Sequence, residues 1–139
     1  MIEKVHQHII NELQQGSRTD TIFIITAVVF NLIVLAVNSG IASSGASEKP
    51  HTSDDAVLII FILLVVIVNL VSIRALFTGK KTRALLTNGL LSMYLDNQVD
   101  KYYPSSLLEN YNKRYMSFSI VILCIAFIAI IVPLVIRFV

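Results

Sequence analysis

Three nearly uncharged apolar runs, at 21–42, 56–77 and roughly 116–138, constrain this chain more than any other feature. An α-helix rises about 1.5 Å per residue, so a run of about 20 residues crosses a hydrocarbon core of roughly 30 Å. The runs set the solvent of the fold as lipid and its secondary structure as helix. Composition agrees: of 139 residues 55% are hydrophobic and only 14% charged, against about 25% charged in a soluble domain. A net charge of +2 is too small to imply nucleic acid as a partner.

The predicted fold class is an all-α integral membrane protein. It has three transmembrane helices, an N-terminal amphipathic helix, and a cytoplasmic amphipathic helix between the second and third spans. The predicted boundaries are 1–16 for the N-terminal amphipathic helix, 20–42 for the first span, 43–55 for an outer loop and 56–78 for the second span. A cytoplasmic connection follows at 79–105, and 106–139 is the juxtamembrane segment with the third span. The first run is too long for a signal h-region of about 7–15 residues and reads as a retained helix. Cys124 is the single cysteine, lies inside the third run and reads as a small packing residue.

Basic residues mark the cytoplasmic side of a membrane protein. With the N-terminus inside, Lys4, Arg18, Arg74, Lys80, Lys81, Arg83, Lys101, Lys113 and Arg114 are cytoplasmic, which is nine of the eleven; Lys49 and Arg137 are outside. The predicted topology is therefore N-terminus cytoplasmic and C-terminus external. Local signals place the helix ends. Thr19 or Asp20 can cap the first span, and Ser53, Asp54 and Asp55 the second. Gly16 and Gly79 read as stops. Tyr103-Pro104 blocks helix continuation, and Ser106 to Glu109 has capping-box spacing, so the last helix is expected to start near Ser106. Pro133 removes one backbone bond near its end. Ile2, Val5, Ile9 and Leu13 form one stripe. Leu86, Leu90 and Met93 form another, with Leu91 and Leu95 beside it. Both stripes are expected to dock at the interface or on each other.

Polar residues inside a membrane are costly and point to interfaces or function. Asn31 and Asn38 are seven residues apart, close to two turns, and share a face of the first span. In an antiparallel pair of spans joined by a short loop, Asn31 matches Asn69 in depth and Thr26 matches Ser72. These five residues read as interhelical hydrogen-bonding groups or, in an oligomer, as pore-lining groups. Arg74, Lys80, Lys81, Arg83, Lys113 and Arg114 read as anchors to anionic headgroups on the cytoplasmic side.

Catalytic signals are weak. The cluster Gly79-Lys80-Lys81-Thr82-Arg83 lacks the upstream glycine of a phosphate-binding loop. His6 and His8 are two apart and point in different directions on a helix; His8 with Glu12 has ligand spacing, but two ligands do not make a metal site. Asp96 and Asp100 share a face without a dry cleft around them. No catalytic residue, metal ligand or cofactor is predicted. The expected function is non-enzymatic: a small polytopic membrane protein acting through oligomerisation, with a pore as one form, or an accessory or scaffold subunit of a larger membrane complex that conducts nothing. The expected partners are the bilayer and either further copies or other membrane subunits.

Overall fold

A computed structural model describes residues 2–47, 52–102 and 106–138. Every regular element among them is helical: α1 Ile2–Ser47, α2 Thr52–Asp96, a short 3₁₀ turn Asp100–Tyr102, and α3 Ser106–Phe138. Each of the three long helices contains a stretch long and apolar enough to cross a membrane. The chain is thus an all-helical protein with three candidate membrane spans. Tyr103-Pro104 and the tip of the first loop, with Lys49, Pro50 and His51, lie outside the described residues.

The helix ends differ from the sequence reading in two places. α1 runs 46 residues without a break at Gly16, Thr19 or Asp20, and α2 runs 45 residues through Gly79. A glycine stops a helix by adopting a left-handed conformation just past its end. No glycine among the described residues has a positive φ, so here each costs helix propensity, about 1 kcal/mol against alanine, without ending the element. α2 ends instead at Asp96, and Gln98 two residues on has a φ of 57°. The Gln98 N–H donates to the Leu95 carbonyl at 3.0 Å and the Val99 N–H to the Tyr94 carbonyl at 2.9 Å. This pair of bonds is a Schellman cap with glutamine where glycine is favoured. Gln98→Gly is expected to stabilise the protein by up to about 1 kcal/mol, measured as a shift in the unfolding midpoint in detergent.

α1 and α2 form one long antiparallel hairpin in constant register. His6 Nε2 lies 3.2 Å from the Tyr94 hydroxyl, and Arg83 Nη2 donates to the Leu13 carbonyl at 3.1 Å. Gly79 faces Asp20, and Asn31 faces Asn69. The numbers in each pair add to about 100, as a hairpin without slippage requires. At about 1.5 Å per residue each helix is roughly 69 Å long, more than twice a hydrocarbon core. The surplus of both helices falls at the same end, the end rich in lysine and arginine, where the two lie side by side. α3 runs parallel to α1 and fills the groove of the hairpin.

The bundle is held by a seam of small and medium side chains at three- and four-residue spacing, the pattern of left-handed helix packing. α1 buries Ala27, Asn31, Val34, Asn38 and Ala42 along it. Ala27, Leu76, Tyr115 and Ile122 make one core cluster, and Val34, Val65 and Ala126 the next. Small residues let the backbones approach closely, which matters most where lipid supplies no hydrophobic drive between helices. The outward faces carry Ile22, Ile25, Leu32, Ile33, Leu63 and Ile67, all exposed.

Candidate functional site

Asn31 and Asn38 of the first run and Asn69 and Ser72 of the second are buried in the interior of the bundle and form a discontinuous seam along it. At its centre Asn31 Nδ2 donates to Asn69 Oδ1 at 2.8 Å, and Asn69 Nδ2 donates back to Asn31 Oδ1 at 2.8 Å. Asn69 Nδ2 also donates to the Val65 carbonyl one turn away at 2.7 Å. The pair is shut off from solvent, and reciprocal amide bonds are the natural way to satisfy two carboxamides in a dry site.

Depth alone is a poor guide to the neighbouring pair. Ser72 is buried, but Thr26 lies on the exposed face. Thr26 precedes Asn31 by five residues, about 140° around the helix, so matching depth does not bring it to the seam. Asn38 is on the seam and fully buried, yet neither its Nδ2 nor its Oδ1 has a hydrogen-bond partner among the described residues. Neither Asn31 nor Asn38 presents its amide to the outside of the bundle, where a ring between copies requires it. An unpaired buried amide costs on the order of 1–3 kcal/mol. Asn38→Leu, which keeps the branching and removes the polar atoms, is expected to raise stability by about 1 kcal/mol in an unfolding titration in mixed micelles.

The basic end of the seam is built on Asp20. Its carboxylate accepts a hydrogen bond from the Tyr115 hydroxyl, and Gly79 on α2 packs against the same carboxylate. Asp20 lies eleven residues before Asn31 and eighteen before Asn38, whole numbers of turns, so all three share one stripe of α1. The spacing was present in the sequence, but the position of Asp20 just before the apolar run also fits a cap. Beside it, Arg83 reaches across to the Leu13 carbonyl and lies 4.6 Å from the centre of the Tyr111 ring, a cation–π contact. These groups line two clefts. One of about 450 Å³ opens between α1 and α2 around Glu12, Gln15, Thr19 and Thr82. Another of about 190 Å³ opens between α1 and α3 around Ser17, Thr21, Tyr111 and Arg114.

The other end is closed by Arg137, whose Nη2 lies 2.8 Å from Asp55 Oδ1. The Arg137 guanidinium lies against Gly45, where any side chain would collide with it. One arginine near the end of α3 therefore ties the start of α2 to the end of α1. Sequence reasoning gave Arg137 no partner, because the contact joins residues 82 positions apart through tertiary packing.

The remaining basic residues fall into two groups. Arg74, Lys81, Lys113 and Arg114 are exposed, whereas Lys80 and Arg83 are half-buried. Lys113 pairs with Glu109 at 3.6 Å, both well exposed, which contributes little. Among the described residues no three histidine, cysteine or carboxylate side chains are grouped as metal ligands. No protein-family profile matches the chain, and neither a curated protein nor a solved structure matches it.

Proposed function

We propose that this chain is a non-enzymatic multi-pass membrane protein, N-terminus cytoplasmic and C-terminus external, that serves as an accessory or scaffold subunit. Its working part is the α1–α2 hairpin, which stands out of the bilayer on the cytoplasmic side and offers a stiff docking arm. The observation that carries this reading is the unbroken length of α1 and α2, 46 and 45 residues in fixed register. A module that only spanned the membrane needs about half of that.

The distribution of polarity supports the membrane setting. Amides and a carboxylate are inside, while isoleucine and leucine cover the outside, a surface far too apolar for water. The nine basic residues at one end support the orientation. The stretches on either side of the His6–Tyr94 contact, which carry the two amphipathic stripes, are then the cytoplasmic arm. The pore reading draws no support from Asn31 and Asn38, because both amides are enclosed within one chain.

Isolation of the tagged chain from its native membrane in a mild detergent, followed by mass measurement of the intact particle, tests the proposal. The expected result is a complex containing other subunits in fixed proportion. A particle made of this chain alone, passing unitary currents in planar bilayers, would replace the scaffold with a channel.

A further inference from the structure

We propose that the cleft between α1 and α3 at the basic end is a specific site for one phosphate group, carried by an anionic amphiphile. This rests on the membrane reading above and adds a defined ligand site to it. Two guanidiniums, Arg83 from α2 and Arg114 from α3, line the same cleft. Each is held at an aromatic ring, Arg83 over Tyr111 at 4.6 Å and Arg114 over Phe118 at 5.5 Å, which orients them before any ligand arrives. Among the described residues neither has a carboxylate within ion-pair distance; the ion pairs of the fold are Lys113–Glu109 and Arg137–Asp55.

Asp20 also lines the cleft, but its carboxylate is engaged by the Tyr115 hydroxyl. Lys80 sits with Arg83 and Tyr111 in an adjoining recess, so cations outnumber the single acid. Planar guanidiniums match phosphate oxygens in pairs, and the Ser17 and Tyr111 hydroxyls add donors at the same rim. The cleft lies where Thr21 and Met116 begin the first and third apolar runs, which is headgroup depth in a bilayer. Ile24 and Phe118 form its apolar wall toward the runs and suit the start of an acyl chain. A basic surface without such a cleft attracts anionic lipid diffusely; oriented arginines with hydroxyl donors in a recess of about 190 Å³ select one headgroup.

The test uses the full chain in phosphatidylcholine vesicles with and without phosphatidylglycerol. Resistance to alkaline carbonate is scored first, so failure to insert, which would undo the membrane reading, is separated from failure to bind. The protein is then extracted in mild detergent and its retained lipid counted by native mass spectrometry. One phosphatidylglycerol per chain is expected, reduced roughly tenfold or more by R83Q/R114Q. The pair K4Q/K101Q, two exposed lysines that neither line the cleft nor belong to the headgroup anchors, removes the same charge and is expected to leave retention unchanged. Arg114 is exposed, so R114Q alone serves if the double variant fails to fold. Millimolar inorganic phosphate separates two sources of the group. Retention that survives it puts the phosphate on the lipid, and arginine-dependent displacement assigns the same site to a soluble phosphate. Equal losses in both double variants, or no retained phosphatidylglycerol without added phosphate, would overturn the site.

Discussion

Asn69→Leu is expected to destabilise the bundle by about 2 kcal/mol, more than the average membrane hydrogen bond is worth. Interhelical polar bonds in membranes average about 0.6 kcal/mol and reach about 1.7. The substitution does more than delete them. It leaves the Asn31 amide fully buried with no partner, and that penalty is on the order of 1–3 kcal/mol. The reciprocal geometry, with 2.8 Å in both directions, makes a second outcome specific. The double variant Asn31→Leu/Asn69→Leu removes both amides and leaves nothing unsatisfied. Its loss is expected to be smaller than the sum of the single losses, with a coupling of about 1–2 kcal/mol. Unfolding equilibria of the four proteins in mixed micelles measure it. Additive, near-neutral effects would mean that the two amides do not meet.

Gly79→Val is expected to be at least as damaging, at about 2–4 kcal/mol. A side chain at residue 79 would overlap the Asp20 carboxylate, which is itself buried. Asp20 must then turn away, which breaks its bond with Tyr115 and strands a buried hydroxyl. Overpacking costs about 1–3 kcal/mol and the unsatisfied group a similar amount. Gly79→Ala is milder, because alanine recovers about 1 kcal/mol of helix propensity. The contact is tested by rescue. Asp20→Ala in the Gly79→Val background is expected to restore part of the loss, since it removes the group that collides. If the loss is the same with and without Asp20, the steric contact is not its cause.

The three helices were legible in the sequence because length and hydropathy alone decide whether a helix can cross a bilayer. The depth of Asn31 against Asn69 was legible too, since an antiparallel hairpin with a short loop leaves little freedom of register. What failed was local punctuation. Gly16 and Gly79 look like stops, yet a glycine ends a helix only when the chain adopts a left-handed turn there. Tertiary packing decides that: Asp20 needs the space at Gly79, while Gln98 takes the turn instead. Matching depth does not carry Thr26 to the seam, because the angle around the helix turns it outward. Asp20 has the position of a cap just before the apolar run, although it shares the stripe of Asn31 and Asn38. The clasp of Arg137 on Asp55 and Gly45 was out of reach, because nothing local to any of the three residues encodes it.

α1 is one continuous helix, so the hairpin projects along the bundle axis instead of folding onto a surface at Gly16. Spin labels at Val5 and Ile33, both exposed, report this directly in a Cys124→Ser background that leaves no other thiol. Pulsed dipolar spectroscopy in nanodiscs is expected to give a narrow distribution near about 42 Å, the length of 28 residues of helix. A distribution centred near about 30 Å is what a right-angle bend at Gly16 produces, and that result would contradict the projecting hairpin.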